Sequence, residues 1–399
     1  MTPAARAAAA ITVLDAILAG EPAEAALIRW ARASRFAGSG DRAAVRDMVF
    51  DCLRRRNSRA ALGGGMHGRG LILGMCRDLG LDPGTLFTGQ GHAPAPLSAA
   101  ETGSGHAPDN VEAMDLPEWL LPQWQASLGA DAAPMAQTLR ARAPVWLRVN
   151  AARCDSPQAL EMLAQDEIMA RAHDTLSTAL RVETGARRVA GSRAYREGLV
   201  ELQDLSPQLA CALLPASGSL LDYCAGGGGK ALAMAARGSA PVVAHDRDAG
   251  RMRDLAARAA RAGCRIRLAA PGKASGRFDL VIADVPCSGS GTWRRTPDAK
   301  WRLRPEDLEK LLRVQAQVLD EAAGHVAAGG HLAYMTCSVL MAENECQTHE
   351  FLGRQPQFDV VGQHRFAPPA ASDGFYLALL RRRQAPLPRA TPAGDPGVT

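Results

Sequence analysis

From Leu199 onward the chain alternates short apolar runs with amphipathic stretches, and this alternation restricts the fold more than any other feature. Leu220–Tyr223, Val242–Asp246, Phe278–Asp284 and His331–Thr336 read as strands. Ala231–Arg237, Ala249–Ala262 and Pro305–Ala328 read as the helices between them. Such repetition predicts a mostly parallel sheet covered by helices, an α/β Rossmann-like unit. Ligands of these sheets bind beyond the carboxyl ends of the strands. The residues that follow each apolar run therefore carry the information about chemistry.

The rest of the 399 residues divides differently. The pattern predicts a multidomain chain: an all-α unit with a Gly/Pro-rich linker over 1–112, a small α+β unit over 113–200, the α/β unit over 201–383, and a disordered tail over 384–399. In the first unit Ile11, Leu14, Ile17 and Leu18 form one helical stripe, and a second helix spans Glu24–Ala33. A third, capped by Asp41, carries Val45, Met48, Val49, Cys52 and Leu53 and ends in Arg54-Arg55-Arg56. That arginine run is either a solvated helix end or a phosphate contact. Residues 89–112 read as a linker or long loop, and Trp119 and Trp124 as packing anchors. In the α+β unit Val145–Asn150 alternates like a strand, and Ser156-Pro157 opens a helix.

A net charge of +5 permits an anionic partner without requiring one. Nine scattered cysteines, with no Cys-x-x-Cys, predict no metal site and free thiols in a reducing compartment. Asp15 interrupts the apolar Ala7–Gly20 run, and no run approaches the roughly 18 apolar residues of a membrane span. The expectation is a cytoplasmic, soluble monomer with no membrane partner.

Three motifs follow strand ends. Cys224-Ala225-Gly226-Gly227-Gly228-Gly229-Lys230 links the Leu220 strand to a helix, and its glycines let a ligand approach the backbone. Asp246 ends the next strand, where a carboxylate grips ribose hydroxyls. Together they predict a nucleoside-containing cofactor, either a dinucleotide or S-adenosylmethionine. Asp284-Val-Pro286-Cys287 and Thr336-Cys337-Ser338 supply an acid and two thiols at the two following strand ends. A pyrimidine methyltransferase needs such groups. A thiolate adding at C6 makes C5 nucleophilic, an acid near N3 takes up developing charge, and a base removes the C5 proton. After Cys287 come small residues, then Arg294, Arg295 and Lys300, which either face RNA or serve the fold.

Leu199–Leu380 resembles the NOL1/NOP2/Sun family of RNA 5-methylcytosine methyltransferases. The resemblance rests on Asp222–Lys230, Asp284–Gly291, Thr336–Ser338, Arg294–Trp301 and Glu343-Asn344-Glu345. The N-terminal helices resemble the NusB-like RNA-binding domain of the bacterial Sun/Fmu subgroup. The resemblance implies Cys337 as the nucleophile at C6, with Cys287 assisting proton removal and product release. It implies that Asp284 hydrogen-bonds the cytosine and also touches the cofactor. Cys224 to Lys230 would hold the methionine part of S-adenosylmethionine, and Asp246 its ribose. The implied substrate is 16S ribosomal RNA at an unstacked, single-stranded or loop cytosine. Two departures stand out: the family's Ala-Pro in the glycine motif is Gly226-Gly227 here, and its adenine-side Asp is missing from Ala270-Pro271-Gly272-Lys273. They keep open an RNA-binding ribosome-assembly factor with weakened catalysis; a narrower alternative keeps the enzyme with a transfer RNA substrate.

Overall fold

A computed structural model describes residues 1–238, 241–368 and 372–384. Apart from Gln384, the tail expected over 384–399 lies outside these described residues. Five helices come first: α1 (Pro3–Leu18), α2 (Ala23–Ala33), α3 (Ser39–Arg54), α4 (Arg56–Gly63) and α5 (Gly68–Asp78). The predicted stripe packs as expected, with Leu14, Val45, Val49, Leu53, Leu71 and Ile72 all buried. Asp41 is not the cap. It lies inside the first turn, accepts from the Gly38 N–H and binds the Met1 ammonium and Arg6. The stretch after the arginine run is itself a helix, α4. It ends at Gly64, whose left-handed backbone (φ +80°) and close approach to Ser104 exclude a side chain. Residues 89–112 are a strap rather than a loose linker. Arg69 and Arg77 donate to carbonyls of Ala95, Pro96, Glu101 and Ser104 and tie it to α5.

The α+β unit holds β1 (Val145–Val149), β2 (Met169–Ala172), β3 (Ala179–Thr184) and β4 (Val200–Leu202), paired antiparallel in the order β2-β3-β1-β4. Helix Ser156–Gln165 buries Ala159 and Leu163 against one face, onto Leu147, Val149 and Leu180.

The large sheet contains β5 (Leu220–Asp222), β6 (Val242–His245), β7 (Ile266–Ala269), β8 (Phe278–Asp284), β9 (Val326–Thr336), β10 (Phe358–Phe366) and β11 (Phe375–Arg382), in the order β10-β11-β9-β8-β5-β6-β7. From β7 to β9 the pairing is parallel, and β11 and β10 are added antiparallel. Leu280 and Ile282 face one core, Val281 and Ala283 the other, so the strand is apolar from Leu280 to Ala283. The chain runs from β5 outward through β6 and β7, then returns to β8 on the other side of β5. That reversal opens a crevice at the ends of β5 and β8. The predicted helix over Pro305–Ala328 stops at Ala323, and β9 starts at Val326 rather than His331. Val326 is fully buried opposite Phe278, and Gly329 (φ +79°) absorbs the resulting shift in register. β7, of four residues, and the edge strand β10 lack clean alternation, whereas the interior strand β11 carries a continuous apolar run, Phe375–Leu380, that sequence reasoning left unassigned. Among the described residues, no helix is long and apolar enough to cross a membrane.

Candidate active site

Three strand ends converge at the crevice. β5 delivers the glycine turn, β8 delivers Asp284 and Cys287, and β9 delivers Cys337. The Cys287 and Cys337 sulfurs lie 3.3 Å apart, although 50 residues separate them. The Lys230 ammonium reaches across the crevice to Asp284 and lies 5.6 Å from the Phe375 ring centre. Burial works against its charge, but Asp284 outweighs burial and raises the Lys230 pKa. Either sulfur can donate in this contact. It lowers the Cys337 thiol against the opposing effect of burial, and the Lys230 charge acts in the same direction. The same contact, together with burial, pushes the Cys287 thiol well up, so Cys337 is the more readily ionised of the two.

A buried carboxylate fixes both thiol loops. Glu343 accepts from the Ser288 N–H (2.8 Å), the Ser288 and Ser338 hydroxyls (2.5 Å each) and Gln315 Nε2 (2.9 Å). Ser290 bonds the Ser338 hydroxyl at 2.8 Å and accepts from the Val339 N–H. Thr336 donates to Asn344, whose amide returns to the Ser338 carbonyl. Glu343 and Ser290 are fully buried, so this network excludes water behind the sulfurs. Sequence reasoning assigned Glu343 no role. The signal was the serine after each cysteine, two hydroxyls that need one shared acceptor.

In the glycine turn, Gly226 N–H donates to Asp246 Oδ2 (2.9 Å), and the Asp248 N–H donates to Oδ1 (3.0 Å). Asp246 therefore ties the turn to the end of β6. Asp222 accepts from the Ala231 N–H, while its Oδ1 is buried and has no partner among the described residues. Burial pushes the Asp222 carboxyl up to about 7 and the Cys224 thiol up as well. His245 accepts the Gly272 N–H at Nε2 and faces the Tyr223 carbonyl through Nδ1, which fixes its tautomer. This histidine pins the 270–273 stretch that lacks a carboxylate.

The three cations expected at RNA are placed differently. Lys300, 1% exposed, donates to the carbonyls of Asp115 (2.5 Å) and Arg54 (3.3 Å). Arg294, 6% exposed, pairs with the buried Asp373 and Ser372. For both, the RNA-facing expectation is corrected: buried carbonyls and a buried carboxylate claim these charges. Arg295 is partly exposed but is held by Asp373 and Asp204. The Arg54-Arg55-Arg56 run is neither a solvated end nor a free phosphate contact. Arg54 donates to the Arg294 carbonyl, Arg55 pairs with Asp78, and Arg56 lies over Trp301. Trp124 is a packing anchor as predicted, stacked 6.2 Å from Trp293. A cleft of about 680 Å³ opens behind this loop, lined by Arg46, Arg54, Arg142 and Arg295, away from the thiols.

Residues 210–381 match the family model described as 16S rRNA methyltransferase RsmB/F, and residues 116–188 match the ferredoxin-like domain of RsmF/B-like methyltransferases. The curated ribosomal RNA small subunit methyltransferase B of Citrobacter koseri is 33% identical over 285 residues, 67% of this chain and 66% of that protein. Over these regions the chain belongs to the RsmB/F methyltransferase family. The Vibrio vulnificus protein of the same description is likewise 33% identical, over 282 residues. The chain spans about two thirds, 66%, of the length of these relatives. The fold is shared with the crystal structure of PH0851, at a TM-score of 0.76 and 21% identity, covering 96% of this chain and 99% of that one. NSun6 from Pyrococcus horikoshii, solved with SFG, gives a TM-score of 0.60 at 16% identity, covering 67% of this chain and 99% of that one. The ferredoxin-like match covers β1 to β3 of the four-stranded antiparallel unit, and the RsmB/F match spans β5 to β11.

Proposed function

We propose that the protein is an S-adenosylmethionine-dependent RNA cytosine-C5 methyltransferase acting on 16S ribosomal RNA in the cytoplasm. The observation that carries this reading is the thiol pair, 3.3 Å apart, beside the Asp284–Lys230 pair. The crevice fits the cofactor: a side-chain-free turn, a strand-end carboxylate in Asp246, and the unpartnered buried Asp222 Oδ1 behind the turn. Cys224 to Lys230 would hold its methionine part and Asp246 its ribose. Bound there, S-adenosylmethionine supplies an electrophilic methyl group.

The protein's own residues do the rest. Cys337 bonds to cytosine C6, and the displaced π electrons make C5 nucleophilic. Asp284 hydrogen-bonds the base. Cys287 gives its own proton to the ring as charge develops there, then takes the C5 proton as thiolate; the C5–H electron pair re-forms the C5–C6 double bond and Cys337 leaves as thiolate. Residues 201–383 form the catalytic unit in this reading. Residues 1–112, as a NusB-like unit, and 113–200 bind RNA.

Bisulfite sequencing of total RNA with and without the gene tests the proposal. Loss of one protected cytosine in 16S rRNA is expected. Loss confined to transfer RNA would move the substrate. No loss anywhere, with no cofactor binding at millimolar concentration, would favour an RNA-binding assembly factor.

A further inference from the structure

The turn from Gly226 to Gly229 has no side chain with which to hold itself. Four consecutive glycines also carry more backbone freedom than any other tetrapeptide. Its order comes from neighbours. The Arg258 guanidinium donates to the Gly227 carbonyl, and Arg148 Nη1 donates to the Gly229 carbonyl at 2.8 Å. Arg258 stands on helix Leu255–Ala262, one turn beyond Leu255, whose side chain fills the space beneath Gly228. Its other Nη bonds Glu201 at 2.9 Å, and Arg261 takes the second oxygen of that carboxylate. Glu201, 2% exposed, lies on β4 directly opposite Arg148 on β1. Both point away from the apolar core of the α+β unit, toward the glycine turn. Asn150, at the end of β1, secures the same helix by donating to the Ala262 carbonyl at 2.8 Å.

We propose that Arg148 and Arg258, the latter held by Glu201 on the strand beside Arg148, form a brace that sets the glycine turn in its cofactor-binding shape before the cofactor arrives. Arg258 is a positioning residue: it touches the turn, not the reacting atoms. The α+β unit then does more than bind RNA, because its β1–β4 edge completes the cofactor site. This inference rests on the reading of Cys224 to Lys230 as the cofactor turn. Gly227 adds a way to test the mechanism. Its φ is not in the left-handed region, and an added Cβ would meet only the Arg258 guanidinium, at 3.0 Å. With that side chain removed, alanine fits and restricts the backbone in its place.

The test uses the full chain with Arg258→Ala, Gly227→Ala/Arg258→Ala and Arg258→Lys. Titration calorimetry with S-adenosylmethionine and amide exchange in the cofactor-free protein are read side by side. Arg258→Ala is expected to weaken binding roughly tenfold, the effect of one charge-assisted hydrogen bond that pre-organises the site. It should also speed exchange of the Gly228 N–H, which bonds the Ala225 carbonyl inside the turn. The double variant should recover at least about twofold of the affinity. Should Arg258→Ala lower the melting temperature of the whole chain, Arg258→Lys, which keeps a cation beside Glu201 without the fork, is read the same way. Unchanged Gly228 exchange in these variants overturns the brace, as does an affinity loss that Gly227→Ala leaves untouched. A wild-type protein that binds no cofactor, with exchange still responding to Arg258, overturns the proposed function and leaves the brace standing.

Discussion

Lys300 gives a stability prediction whose sign and size follow from its surroundings. Its ammonium is buried between the α3–α4 junction and the Asp115 turn, with Asp115, Arg54, Arg56 and Arg140 around it. Burial pushes its pKa down to about 7, more than Asp115 can restore. An unfolded lysine titrates near 10.4. Between these values the unfolded chain binds the extra proton, so stability rises with pH through that window. Below about pH 7 both states are protonated and the full cost of the buried charge applies. Integrating the linkage gives about 2 kcal/mol gained between about pH 7 and pH 9. The neutral amine still has hydrogens for both carbonyls, so the contacts survive deprotonation. The assay is urea unfolding of wild type and Lys300→Met across that range. The wild-type curve should climb relative to the variant by about 2 kcal/mol. Parallel curves would refute the reasoning, because the charge would then be solvated or paired in the folded state.

Other expectations concern the site's supports. Glu343→Gln replaces an oxygen that accepts two serine hydroxyls with an amide, and should cost about 2 kcal/mol or more in thermal unfolding while loosening both thiol loops. Arg294→Met leaves Asp373 half-paired and should destabilise by roughly 2–4 kcal/mol, yet leave the salt dependence of RNA binding unchanged. Iodoacetamide should modify Cys337 before Cys287 as pH rises, because their contact lowers the Cys337 thiol and raises the Cys287 thiol; equal rates read by peptide mass would contradict that asymmetry.

The sheet and its strand-end residues were legible because parallel strands buried on both faces leave continuous apolar runs, and Leu280–Ala283 is such a run. The meeting of Cys287 and Cys337 followed from topology once β8 and β9 were neighbours. Charge was legible only as composition. Nothing in Arg294-Arg295 or Lys300 reveals that Asp373, Asp204 and the Asp115 carbonyl wait 78 to 185 residues away. The same holds for Arg148, which resembles a surface-strand residue but braces Gly229. Long-range polar partners leave no periodic trace, so the supports were missed where the reactive groups were found. The extra helix α4 was hidden because arginines fill its first turns, where an amphipathic stripe is expected.

In the proposed reaction Cys337 attacks and Cys287 helps release. Incubating Cys287→Ala protein with 16S rRNA and S-adenosylmethionine, then mapping any protein–RNA adduct by peptide mass, separates these roles. A stable adduct through Cys337 is expected, absent from Cys287→Ala/Cys337→Ala. An adduct through another cysteine, or full methyl transfer by Cys337→Ala, would contradict this assignment of roles.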